Sequence, residues 1–147
     1  MSTEENNKAL VRRFYEEIDK GNLGIIDELV APDYLDHNPP PFPGFAPGRE
    51  GLKQAFRLFW EATPGSHHIE DQIAEGDKVM TRLTAFGKHE GDLPGIPRTG
   101  NDLRMTSITI HRIVNGKLVE KWSEKDMLGF LTQTGAISPL EHQGHRA

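Results

Sequence analysis

The hydrophobic periodicity of the chain changes once, near residue 67, and this change constrains the fold more than any other feature. Before it, apolar residues recur every three to four positions, as in Leu10, Phe14 and Ile18, which is the spacing of one helix face. After it, the period shortens towards two, which is typical of strands. Helices followed by a run of strands favour an α+β fold, with the helices packed on one face of a mostly antiparallel sheet.

Three helices are predicted in the first part of the chain. Ser2 and Glu5 form a capping-box pattern at the start of the first helix, and Gly21 is the residue type that ends one. A short second helix is expected to end before Pro32, because a proline disfavours helical geometry in the residue before it. A third helix is predicted at about 49–62.

Proline is concentrated between the second and third predicted helices. Six of the ten prolines fall between Pro32 and Pro47, and each one fixes φ and removes a hydrogen-bond donor. Only residues 34–37 are expected to form a short strand there. The remainder is predicted to be an extended loop.

The second part of the chain is predicted to be a meander of four strands followed by a short helix. Asn115-Gly116 is a strong hairpin signal, because both residues tolerate positive φ in a type I′ turn. Residues 1–135 would form a single domain and residues 136–147 a loose tail. The strands are predicted at about 67–75, 78–89, 103–114 and 117–125, and the helix at 126–133.

Composition excludes several classes of protein. The chain has 147 residues, a net charge of −5 and no Cys, so we expect neither a disulfide framework nor a thiol nucleophile. The seven His lack metal-binding spacings, and no metal or cofactor is predicted. No apolar run approaches the length of a membrane helix, no signal sequence is recognised, and no concentrated basic patch suggests nucleic acid. A cytoplasmic protein with a small-molecule partner is expected.

The predicted hairpin suggests which residues face one another across its two strands. A two-residue turn at Asn115-Gly116 would place His111 opposite Glu120 and Thr109 opposite Trp122. The first pair is either a proton-transfer dyad or a surface ion pair, and the second either lines a pocket or packs in the core. A single β-bulge would exchange the faces of either strand.

Two further residues are candidates for acid–base chemistry. His37 lies where the short strand meets the proline-rich loop, and loops on a rigid scaffold often carry functional groups. Asp126 stands at the start of the last helix, where it either caps that helix or acts in catalysis. The hypothesis requires both side chains to face one cavity, with Asp126 orienting His37.

Four segments of the chain resemble one known family. They are KALVRRFYEEIDKGNLGIIDELVAPDYLDHNP, GREGLKQAFRLF, HEGDLPGIPRTG and IHRIVNGKLVEKWSEKDMLGFLTQTG. Together they resemble the SnoaL-like polyketide cyclases, also called ester cyclases, of the nuclear transport factor 2-like (cystatin-like) superfamily, over about residues 5 to 135. The resemblance implies a cone-shaped, strongly curved sheet with three N-terminal helices and a short C-terminal helix. It also implies a deep apolar pocket and association through the sheet, as a homodimer or a higher oligomer.

The resemblance implies a chemistry as well. The cyclases close a ring by an intramolecular aldol reaction without a metal or organic cofactor, and an aspartate on the last strand acts as general acid and base. That aspartate falls on Ser123 here, and the polar residues of the preceding strand fall on Ser107 and Thr109. A serine hydroxyl without assistance is no general base, so another residue would have to replace the aspartate.

Two main hypotheses follow for the function. In the first, the chain is a cofactor-independent enzyme (a cyclase, isomerase or hydrolase) acting on an apolar carbonyl compound, with His37 or Asp126 carrying the proton. In the second, the same pocket binds a small ligand without catalysis, which the serine at position 123 favours. An oligomerisation scaffold is a third possibility. The residues expected to shape the pocket are Tyr34, Phe59, Trp60, Thr109, Trp122 and Ser123.

Overall fold

The computed structural model describes residues 2–138, and the predicted tail lies outside the described residues from position 139 onwards. The α+β prediction is confirmed: four helices accompany one five-stranded mixed sheet. The helices are α1 (Thr3–Asp19), α2 (Gly24–Leu29), α3 (Gly48–Ala62) and α4 (Met127–Gln133). The strands are β1 (Val30–Asp36), β2 (Gly65–Glu75), β3 (Lys78–Lys88), β4 (Asp102–Val114) and β5 (Lys117–Lys125).

The strands follow the order β1-β5-β4-β3-β2. Strands β2 to β5 form the predicted antiparallel meander, and β1 pairs with β5 in parallel. Helix α1 begins as predicted, because Ser2 accepts a hydrogen bond from the backbone N–H of Glu5 at 3.1 Å. It ends before Gly21, whose φ of 80° is accessible to glycine at little cost.

The short strand predicted at 34–37 is present, but it begins four residues earlier than predicted. The second helix ends at Leu29, and β1 runs from Val30 through Pro32 to Asp36. This strand lies at the edge of the sheet, where a proline is tolerated because one side of the strand has no ladder to donate to.

A β-bulge in β5 changes the predicted pairing of β4 and β5. Ile113 faces Leu118 as a two-residue turn requires, but the next pair is Arg112 and Glu120, which leaves Val119 without a partner. Beyond the bulge the register is therefore shifted by one residue. The predicted pairs are wrong: His111 faces Lys121, Thr109 faces Ser123, and Ile110 faces Trp122.

The main core lies between the helices and the concave face of the sheet. Side chains of α1 and α2 such as Val11 and Ile26 are fully buried there, together with Val79 of β3 and Leu118 of β5. Complete burial stabilises an aliphatic side chain by about 2 kcal/mol. A second cluster, which includes Leu93 and Phe130, packs the 89–100 loop against α4. The two clusters lie on either side of the cavity described next.

Candidate functional site

A cavity of about 450 Å³ opens between α3, the proline-rich loop and the concave face of the sheet. Its volume falls within the range of small-molecule sites. The loop approaches α3 closely at Gly51, where a Cβ would lie 1.8 Å from the carbonyl oxygen of Ala46. Glycine at this position allows the loop to close one wall. Apolar lining residues include Leu52, Ala55, Phe56, Phe59, Leu83, Met105 and Phe130.

Four of the eight predicted site residues line this cavity. Tyr34, Phe59, Trp60 and Thr109 are all part of its wall. Tyr34 and Thr109 are almost completely buried, whereas Trp60 is partly exposed at the mouth. Burial and the nearby Asp36 carboxylate raise the pKa of the Tyr34 phenol well above its ordinary value. Tyr34 therefore stays neutral as part of the pocket wall.

Ser123 is buried beside the cavity without being part of its lining. It faces Thr109 across the sheet, and its backbone N–H donates to the Asn38 side chain at 2.8 Å. Within residues 2–138, neither the Ser123 Oγ nor the Thr109 Oγ1 has a hydrogen-bond partner.

His37 and Trp122 lie on the opposite, convex face of the sheet. Side chains alternate along a strand, so Trp122 points away from the face that Lys121 and Ser123 share. The rings of His37 and Trp122 stack 4.7 Å apart with a 4° angle between their planes. The imidazole Nε2 of His37 lies 2.7 Å from Glu120 Oε2, and Glu120 also pairs with Arg112. We call these four residues the convex cluster.

Asp126 caps α4. Its carboxylate accepts a hydrogen bond from the backbone N–H of Gly129 at 2.9 Å, and the residue is exposed. The structure does not bring Asp126 and His37 together, and neither lines the cavity. The expectation that both face one cavity does not hold in this geometry.

A His–Asp pair that sequence reasoning missed lies in the cavity wall. The His67 Nδ1 is 2.7 Å from Asp19 Oδ1, and the backbone N–H of His67 donates to Asp19 Oδ2 at 2.8 Å. The Tyr15 ring packs 5.0 Å from the imidazole, and burial raises the pKa of the Tyr15 phenol well above its ordinary value. We call Asp19 and His67 the pocket dyad.

The dyad fixes the tautomer of the neutral imidazole. An Asp19 carboxylate can only accept, so the Nδ1 of His67 carries the hydrogen and Nε2 of the neutral ring keeps the lone pair. An imidazole oriented in this way by a carboxylate is a common general base. Alternation with Ile69 could have predicted that His67 faces inward, but Asp19 lies 48 residues away at the end of α1 and gives no local signal.

Two lysines of β5 are also part of the cavity wall. Lys121 and Lys125 project from the concave face of β5, and Lys121 pairs with Asp36 at 3.6 Å. Burial and the neighbouring Lys121 charge lower the pKa of Lys125 to about 8. Within residues 2–138, no group of three or more His, Asp or Glu side chains has an arrangement suited to a metal ion.

Known proteins share both the sequence pattern and the fold. The SnoaL-like polyketide cyclase family matches residues 9–134. The chain belongs to this family. It is 31% identical over 137 residues to the aklanonic acid methyl ester cyclase DauD of Streptomyces sp. strain C5, covering 88% of this chain and 82% of DauD.

Two further relatives agree with this assignment. The nogalonic acid methyl ester cyclase of Streptomyces nogalater is 29% identical over 118 residues, which cover 78% of this chain and 87% of that protein. The structure of TsrD from Streptomyces laurentii superposes with a TM-score of 0.81 at 28% identity, covering 93% of this chain and all of TsrD. The family and fold predictions are confirmed. Among the described residues, no helix has the length and apolar character needed to span a bilayer.

Proposed function

We propose that this protein is a cofactor-independent cyclase that closes a ring in an apolar polyketide ester, with His67 as its general acid and base. One observation carries the proposal: an imidazole held by a carboxylate at 2.7 Å forms part of the wall of an apolar cavity. Family membership supports the reaction class, and the residue at position 123 is the reason to seek a base elsewhere in the pocket.

The reaction needs only proton transfer and one new carbon–carbon bond. The Nε2 of His67 takes a proton from the carbon beside a carbonyl, and the resulting enolate attacks a second carbonyl of the same molecule. The alkoxide then receives the proton from the imidazolium, so that product and substrate are isomers. Asp19 stabilises the imidazolium between these steps and keeps the ring oriented.

The test uses the substrates that the relatives' names identify. Purified protein is incubated with aklanonic acid methyl ester or nogalonic acid methyl ester, and the products are separated by liquid chromatography with mass detection. We expect a new peak of unchanged mass that forms faster than in buffer. Unchanged substrate in the presence of protein that binds it would contradict the enzyme proposal.

A second candidate function is a non-catalytic ligand-binding module, and Ser123 is the observation that favours it. In this case the pocket binds the ester without turning it over. The variant Ser123→Asp separates the two candidates: a binding module gains cyclisation only when the carboxylate is added, whereas the wild-type enzyme is active without it. Dissociation constants for both proteins come from intrinsic Trp fluorescence.

We also propose a homodimer that forms through the convex face of the sheet. Ile73 and Ile108 are each about half exposed on that face. Met80, Ile110 and Trp122 continue the row of Ile73 across the neighbouring strands, and a contiguous apolar patch of this kind marks an association surface. Light scattering should give about twice the chain mass of 16.5 kDa. A mass near that of one chain at micromolar concentration would contradict the dimer.

A further inference from the structure

The charged groups around the cavity leave one cation without a counter-charge. Besides two tyrosines, five ionisable side chains line the wall: Asp19, Asp36, His67, Lys121 and Lys125. Asp19 is engaged by His67, and Asp36 is engaged by Lys121 and by the backbone N–H of Asn38. Both carboxylates of the cavity are therefore already occupied.

Lys125 has a polar partner but no charged one. Its Nζ donates to the backbone carbonyl of Asn38 at 3.2 Å. The Asp36 carboxylate also acts on the Lys125 charge, but this carboxylate pairs with Lys121 and accepts from the backbone N–H of Asn38. The neighbouring wall is apolar and includes Met127 and Phe130. An ammonium group that has lost part of its water without gaining an anion is destabilised.

Lys125 lies where a ligand in the cavity can supply the missing counter-charge. The residue faces Ser107 across the sheet, on the same concave face as Lys121, and it lies beside the proline-rich loop that borders the cavity. A ligand seated among the apolar side chains would bring any anionic group close to this amine.

We propose that the cavity selects an apolar ligand that carries an anionic oxygen group, and that Lys125 is the specificity-determining residue that pairs with this group. The inference rests on the proposed function, because it names the class of compound that the same pocket takes. It applies equally to a cyclase substrate and to a bound, unreacted ligand.

Two fluorescent probes with nearly the same ring system test the inference. 1-Anilinonaphthalene-8-sulfonate carries an anionic sulfonate, and N-phenyl-1-naphthylamine is its neutral counterpart. We expect Lys125→Met to weaken sulfonate binding at least fivefold while changing the affinity for the neutral probe less than twofold. Lys125→Arg, which keeps the charge, should restore sulfonate binding, and the exposed Lys88→Met should leave both affinities unchanged.

The outcomes separate the inference from the proposed function. If both probes bind Lys125→Met as tightly as they bind the wild type, the role of Lys125 is overturned. The ligand pocket itself is not contradicted by this result. If Lys125→Met weakens the binding of both probes equally, the proposal is also overturned, because the loss of affinity then does not depend on the charge of the ligand. Failure of the wild type to bind either probe would contradict the ligand pocket itself, on which both proposals depend. Circular dichroism spectra of each variant establish that it is folded.

Discussion

Two His–carboxylate pairs of the same length lie on opposite faces of the sheet. In the convex cluster, His37 is 2.7 Å from Glu120, and in the pocket dyad, His67 is 2.7 Å from Asp19. Even their exposures are similar: 34% and 21% for the side chains of the first pair, and 24% and 21% for those of the second. Neither distance nor exposure distinguishes them.

What differs is the environment of each pair. His37 stacks on Trp122, and the hydrogen bonds from His37 and Arg112 hold the pKa of the Glu120 carboxyl below its usual range. Glu120 is thus shared with a permanent cation, whereas both oxygens of Asp19 are committed to His67. The second pair lines the cavity of about 450 Å³, and the first pair does not. The comparison teaches that a residue type and a partner distance identify a reactive histidine only when an enclosed space for substrate is beside it.

The largest expected difference between the two pairs is in the activity of variants in which each histidine is replaced in turn. We expect His67→Gln to lower kcat/KM for ring closure at least 100-fold, because general acid–base catalysis contributes about 10²–10⁴-fold. His37→Gln removes the same kind of side chain from the convex cluster and should stay within threefold of wild type. The measurement is the initial rate of product formation by liquid chromatography. Equal losses in both variants would contradict the assignment.

A third histidine, His111, belongs to neither pair, and we expect it to make the stability of the fold depend on pH. Burial and the Lys121 charge lower the pKa of His111 to about 3 in the folded protein, and Phe14 and Tyr15 pack against its ring. An unfolded imidazole titrates near 6.5. Between these values the unfolded state binds the extra proton, so the stability is full above pH 6.5 and falls as the pH decreases towards 3.

The expected loss through His111 is about 2.5 kcal/mol between pH 7 and pH 4.5. Urea unfolding at the two pH values should show a smaller acid-induced loss for His111→Leu than for wild type, because the carboxylates contribute equally to both proteins. Ile113→Val, at a buried residue of the same strand that does not titrate, serves as the control and should retain the wild-type dependence. Identical losses in wild type and His111→Leu would show that His111 does not titrate in this way.

The carboxylates of the two pairs give the next smaller effect. Asp19→Asn should lower kcat about tenfold and change KM less than threefold, because Asp19 positions and stabilises the imidazole without touching substrate. Glu120→Gln should leave both constants near wild type. A rise in KM for Asp19→Asn with unchanged kcat would instead indicate that Asp19 contributes only to ligand binding.

The smallest expected effect is the loss of folding stability when the convex cluster is disrupted. His37→Ala removes one ring stack and one partly exposed hydrogen bond to Glu120, while Glu120 keeps Arg112. Such interactions contribute about 0.5–1 kcal/mol, and urea unfolding measures the difference. A cost above about 3 kcal/mol would mean that the cluster is a structural centre of the fold.

Most of the fold could be predicted from local sequence patterns. The alternation of β2 to β5 placed all four strands within two residues of their observed bounds, because each strand is at least nine residues long and its pattern extends over many positions. The strand β1 was predicted too short because a proline at its third position is acceptable only at a sheet edge. Whether a strand lies at the edge of a sheet depends on the tertiary structure and cannot be read from the local sequence.

The site was harder to predict because it depends on long-range register. The unpaired Val119 shifts β5 by one residue, so that Thr109 faces Ser123 while Trp122 faces outward. Strand alternation alone indicates that Asp36 shares the face of Tyr34 and that His37 does not. The pocket dyad joins the end of α1 to the start of β2 across 48 residues, a contact that no local pattern encodes.

The most direct test of this account is the response of the two histidine rings to ligand in one NMR experiment. Protein labelled with ¹³C-histidine is titrated with aklanonic acid methyl ester, and the ring signals are assigned with His67→Gln and His37→Gln. We predict that the His67 ring signals shift in proportion to occupancy and that the His37 signals stay in place. Shifts of His37 with an unchanged His67 would contradict the assignment of the reactive pair to the pocket.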